Sequence, residues 1–173
     1  MLKAAIFNGY NSLDFYSIRI NVVRIPEVMD RLQQAQRVFD RCDSQSNFDL
    51  ANFLGSDDST FLNNIQWKSL TSAIVQVGLM DRYTKRFASP QFLIGDVNGD
   101  SPLRVEAKEQ DFSELIQRSV SQVRSLKKEF LPQAGTPQLS GIELAEYAVY
   151  ELDESSQLYR PTGLHHQSFQ KLL

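Results

Sequence analysis

Residues Ser69 to Phe87 constrain the fold of this chain more than any other stretch. Leu70, Ala73, Ile74, Val77, Leu79 and Met80 recur at helical spacing and wrap much of the circumference. A helix apolar over so wide an arc has to be covered on several sides, so it reads as the central, buried helix of a domain. Ser89-Pro90 stops it. Two short apolar runs stand on either side. Lys3–Phe7 is closed by Asn8-Gly9, and Gln91–Ile94 is cut by Gly95. Both are too short for helices and are bounded by turn residues, which predicts buried strands.

Other elements follow from periodicity. Val28, Leu32, Ala35, Val38 and Phe39 predict an amphipathic helix over Glu27–Arg41, with Pro26 at its start. Leu50, Phe53 and Leu54, then Phe61, Leu62 and Ile65, predict two short helices broken at Gly55. Asp111 caps a helix that carries Phe112, Leu115, Ile116, Val120, Val123 and Leu126 on one face. Pro132–Ser140 reads as a linker. Ile142–Leu152 and Leu158–Arg160 predict a hairpin across Asp153–Gln157, and the tail from His165 a short helix. Strand, helices, strand, helix is the order of an α/β domain: a small parallel sheet flanked by helices, with a C-terminal hairpin or edge strand. Residues 1–131 are expected to form the core, and 132–173 an extension packed on it.

Composition narrows the function classes. The chain has 173 residues, 42% hydrophobic and 23% charged, which suits an ordinary globular domain. Its net charge of −3, with no Lys/Arg block, argues against nucleic acid and anionic membrane as partners. No stretch approaches the ~20 apolar residues of a membrane span, and the run at the N-terminus is too short for a signal sequence. The lone cysteine, Cys42, cannot form an internal disulfide; it fits a reducing cytoplasm and reads as a helix-end residue rather than a nucleophile.

Four segments carry a resemblance. Ala5-Ile6-Phe7-Asn8-Gly9-Tyr10-Asn11-Ser12 is a strand followed by a glycine-bearing loop. Pro26-Glu27-Val28 opens a helix ahead of Phe48-Asp49-Leu50. Ser72 to Leu79 lies in the buried helix, and Phe92-Leu93-Ile94-Gly95-Asp96-Val97-Asn98-Gly99 spaces two glycines four apart after a strand. In order and spacing, over about residues 3–128, these resemble the malonyl/acyl-CoA:acyl-carrier-protein transacylases. The resemblance implies an acyltransferase-like core lacking that family's ferredoxin-like subdomain. It also implies that the chemistry has gone. Val97 stands at the position of the nucleophilic serine, Asp96 at the preceding histidine, Tyr10 at the oxyanion-hole glutamine and Gln122 at the carboxylate-holding arginine. Arg118 and Arg124 fall on other helical faces, and His165 and His166 lie in a tail that does not match.

Without nucleophile, base, oxyanion donor or clamp, acyl transfer has no mechanism. The expectation is a non-catalytic protein that serves as an interaction or scaffolding module. Its partner would be an acyl carrier protein, an acyltransferase or a second copy of itself. The alternative is a binder of an acyl or CoA-like small ligand in the relic cleft. Tyr10, Gly95, Asp96, Val97, Asn98, Gly99 and Gln122 are the candidate contacts, and no cofactor is expected. Asp96, Asn98 and Asp100 also place oxygens at positions 1, 3 and 5 of a calcium loop. That match fails where glycine and an acidic ligand belong, at Ser101 and Ala107, so a polar turn is the plainer reading.

Overall fold

The computed structural model describes residues 3–7, 21–42, 49–55, 65–96, 102–127 and 147–165. Strand β1 (Ala4–Phe7) lies parallel beside β2 (Phe92–Asp96), with Ala4 opposite Phe92 and Phe7 opposite Gly95. The two apolar runs therefore pair as expected of a parallel α/β unit. The sheet as a whole is mixed, which corrects the expectation of a parallel one. β3 (Tyr147–Asp153) pairs antiparallel with the far side of β2, and β4 (Leu158–His165) pairs antiparallel with β3. The order is β1-β2-β3-β4. The reason is connectivity. β3 and β4 are joined by a four-residue turn, which permits only an antiparallel pair.

The helices build outward from this sheet. α1 spans Pro26–Cys42, α2 Leu50–Gly55, α3 Ile65–Thr84, α4 Pro102–Glu106 and α5 Phe112–Lys127. α1 buries Val28, Leu32, Ala35, Val38 and Phe39, the five positions its spacing selects. α3 is central. Through Leu70, Ala73, Ile74 and Val77 it joins the helical core with α1, α2 and α5. Through Met80 it joins Phe7, Leu93, Leu103, Ala107 and Tyr150 on one face of the sheet. Leu93 and Ile74 are both fully buried, each contributing about 2 kcal/mol of transfer free energy. Gly78 sets how closely α1 and α3 cross: a Cβ there would lie 2.7 Å from the Val28 Cα. The crossing is flanked by Glu27, which faces Arg82 at 3.6 Å and Lys85 at 3.4 Å.

Several boundaries differ from the sequence reading: the central helix runs from Ile65 to Thr84 rather than from Ser69 to Phe87, taking Ile65 from the expected short helix, and two further differences lie in the C-terminal hairpin. His165 belongs to β4, opposite Ala148, and does not begin a helix. The strand continues past Arg160 through Pro161 and Gly163, residues that ordinarily end one. β4 is an outer strand of the sheet, where a proline costs no ladder hydrogen bond, and a register shift near Ala148–Tyr150 absorbs the irregularity. The β3–β4 turn is held by Asp153, whose carboxylate accepts from the Ser155 amide at 3.0 Å and from both serine hydroxyls, of Ser155 at 2.6 Å and Ser156 at 2.8 Å. The serine hydroxyls hold this carboxyl far below the usual range. Gln157 closes the turn at φ 56°, a left-handed conformation that disfavours a side chain. Gln157→Gly is expected to stabilise the protein by about 0.5–1 kcal/mol in chemical denaturation, because relief of the left-handed strain exceeds the added chain entropy.

Candidate functional site

In open α/β sheets the place to look is the carboxyl end of the parallel strands. Here that end is defined by Phe7 on β1, Gly95 on β2 and Leu103 on α4. Gly95 does not cut the strand, as its sequence context suggests; it is an interior residue of β2, paired with both Phe7 and Ala148. A Cβ at Gly95 would meet the Phe7 carbonyl oxygen at 2.8 Å and Leu103 Cδ1 at 3.3 Å. The glycine is needed for close packing, and at this level the sheet is filled rather than hollow. Asp96 ends β2, and Gln122 lies in the second half of α5. Tyr10, Val97, Asn98, Gly99 and Asp100 lie outside the described residues. Among the described residues no three His, Cys, Asp or Glu side chains are grouped as a metal ion would require.

Two tyrosines on the helix-facing side of the hairpin have their chemistry fixed. Tyr150 is buried, and its hydroxyl donates to Glu109 Oε2 at 3.1 Å. Burial, reinforced by Glu109, pushes its phenol up to about 12. The Tyr159 hydroxyl donates to the Pro90 carbonyl at 2.6 Å, and burial likewise pushes it up to about 12. Both remain protonated at neutral pH and act as ties between hairpin and core, not as bases.

Two other features stand out. The first is the β1 edge. The Lys3 carbonyl accepts from the Gln91 and Phe92 amides, at 2.8 and 3.1 Å. In a strand the polar groups of successive residues alternate sides, so those of Ala4 and Ile6 point away from β2. β1 has no second neighbour among the described strands. Ile6 is 54% exposed, and so, at 56%, is Phe87, whose ring lies 5.9 Å under the Lys3 ammonium. Between β1 and α3 runs a groove of about 610 Å³ lined by Lys3, Ala5, Phe7, Leu79, Met80 and Tyr83, among others.

The second feature is an ion cluster where α1, α3 and α4 meet. Arg31 donates to both Asp81 oxygens, from Nε at 2.6 Å and Nη2 at 3.1 Å, and from Nη1 to Gln34 at 3.1 Å. Its guanidinium stacks 4.9 Å over the Phe112 ring. Glu106, half-buried at the end of α4, lies within electrostatic reach of both charges. Sequence reading did not single out Arg31 or Asp81. The available signal was Asp81, a charge set directly against the apolar run of the central helix.

No protein family, curated protein or solved structure matches the chain. Among the described residues no helix is long and apolar enough to cross a membrane. The parallel β1–β2 pairing is common to α/β sheets in general and supports the fold class alone.

Proposed function

We propose that this protein is a non-catalytic, acyltransferase-like interaction module, and that it docks a partner strand along β1. The observation that carries this reading is the β1 edge, which has no second neighbour among the described strands: backbone groups of Ala4 and Ile6 point away from β2, and Ile6 is exposed beside the groove. An edge of this kind is a template for pairing, and soluble proteins ordinarily protect it. The simplest occupant is a second copy. Two β1 strands pairing antiparallel about a two-fold axis would join the two four-stranded sheets into one. The absence of transfer chemistry rests on the residues at the family's positions, Val97, Tyr10 and Gln122.

Sedimentation velocity tests the docking. The wild type is expected to dimerise, and Ile6→Lys, which puts a charge on the edge without touching the β1–β2 ladder, is expected to be monomeric, with a cooperative thermal melt that no longer depends on protein concentration. A wild type that stays monomeric at every accessible concentration removes the self-association. Intact-mass spectrometry after incubation with malonyl-CoA and longer acyl-CoAs tests the rest. No adduct is expected, and a stoichiometric one lost on substituting a single residue would show the protein to be an enzyme.

A further inference from the structure

The groove beside the β1 edge is charged at one end only. Side chains alternate along a strand, so Lys3, Ala5 and Phe7 share the side of β1 turned to α3. Phe7 and Ala5 pack there with Met80, and Leu79 and Tyr83 continue the opposite wall. Among the described residues that line the groove, Lys3 carries the one charge, and no carboxylate is among them. Its ammonium stands 5.9 Å from the Phe87 ring centroid, a contact that offers it no conventional hydrogen-bond acceptor. The neighbouring cations of α3 are engaged elsewhere: Arg82 and Lys85 face Glu27, at 3.6 and 3.4 Å. The groove therefore pairs an apolar floor with a single exposed cation at the start of the strand.

We propose that the edge selects an extended, acid-ended segment of another protein, which runs antiparallel to β1 with its carboxylate on Lys3 and apolar side chains in the groove. This rests on the reading of β1 as a docking edge and names the partner that edge prefers. In an antiparallel pair, residues directly opposite share a face. A carboxylate opposite Lys3 therefore sets the residue two before it opposite Ala5, and the one four before it opposite Phe7, both on the side of Leu79 and Met80. The residues between them bond to the outward backbone groups of Ala4 and Ile6. The antiparallel direction brings the C-terminal end of the segment to Lys3, so a terminal carboxylate adds to the charge of an acidic last side chain. A second copy satisfies the backbone but not the charge. In a two-fold pair centred on Ala5 each Lys3 lies opposite a Phe7, and neither ammonium gains a carboxylate. An acid-ended strand therefore displaces the second copy.

The probe is a fluorescein-labelled hexapeptide that alternates threonine and valine and ends in aspartate with a free carboxyl group. Its control ends in a lysine amide. By fluorescence anisotropy the wild type is expected to bind the acid-ended peptide about tenfold more tightly, the combined effect of one attraction gained and one repulsion removed across an exposed pair. Lys3→Glu is expected to reverse the preference, and its binding of the lysine-ended peptide shows that the variant is folded. In sedimentation velocity, saturating acid-ended peptide should convert wild-type dimers to monomers. Equal binding of the two peptides, or a preference unchanged in Lys3→Glu, overturns the acid selection and leaves β1 as a docking edge. A wild type that dimerises but binds neither peptide overturns the proposal and leaves self-pairing in place. One that neither dimerises nor binds either peptide removes the docking edge itself, and this proposal with it.

Discussion

Gly78→Ala is expected to destabilise the protein by about 3 kcal/mol, lowering the melting temperature by roughly 6–12 °C. Alanine favours a helix over glycine by about 1 kcal/mol, and that gain is included in the net figure. The loss comes from the crossing. The new methyl would stand 2.7 Å from the Val28 Cα and 3.1 Å from its amide nitrogen, both backbone atoms of α1. No rotamer change relieves such a contact, so α1 must move away from α3 and open the core they share. A second substitution separates this cause from side-chain crowding. Val28→Ala removes Cγ2, which would lie 3.0 Å from the methyl, but leaves the α1 backbone in place. The double variant is therefore expected to remain destabilised, and recovery to wild-type stability by thermal melting would show that the side chain alone was the obstacle.

Arg31→Ala is expected to cost about 2–3 kcal/mol at neutral pH. Breaking a fully buried ion pair typically costs about 3–5 kcal/mol. Here the side chains retain 24% and 29% exposure, so solvent screens part of the loss. What remains is a half-buried Asp81 with no guanidinium and Glu106 close by, together with the loss of the stack on Phe112. The deficit should be smaller near pH 5, where Glu106 is neutral and one negative charge fewer is left uncompensated. Replacing both partners, as Arg31→Met with Asp81→Leu, should recover most of the stability, because no orphaned charge remains. Denaturant titrations of the three proteins at the two pH values give the comparison.

The sequence was most informative where packing depends on periodicity. The spacing of Val28, Leu32, Ala35, Val38 and Phe39 identified the buried face of α1, and the wide apolar arc of α3 implied its place between two layers. Pairing of Lys3–Phe7 with Phe92–Gly95 followed from two short runs separated by helices. Sheet polarity was harder to read. The turn at Asp153–Gln157 marked the hairpin, but nothing in its residues says that Glu151 lies opposite Phe92. Pro161 hid the second half of β4, because a proline is a strand breaker everywhere except on an outer strand. Gly78 and Gly95 resemble loose or turn positions in sequence, and only three-dimensional proximity shows that each is required by a neighbouring backbone. The Arg31–Asp81–Glu106 cluster draws on three helices far apart in the chain. No local pattern gathers it, so its charge imbalance is visible only in the fold.

The parallel pairing of β1 with β2 has a consequence for how the chain acquires its structure. The two strands are separated by about 90 residues, so β1 leaves the ribosome long before the strand it pairs with exists. The helical core has a different schedule. α1, α2 and α3 bury Val28, Leu32, Leu50, Leu54 and Ile74 against one another, and these residues lie between the two strands. Synthesis therefore favours consolidation of a helical nucleus first, with β1 docking on its surface when β2 arrives and the β3–β4 hairpin closing locally at the end. Until then both sides of β1 are unpaired. Once β2 has docked, no second strand among those described pairs with the side bearing Ala4 and Ile6, so the edge left unpaired during translation is the one the proposed second copy would cover.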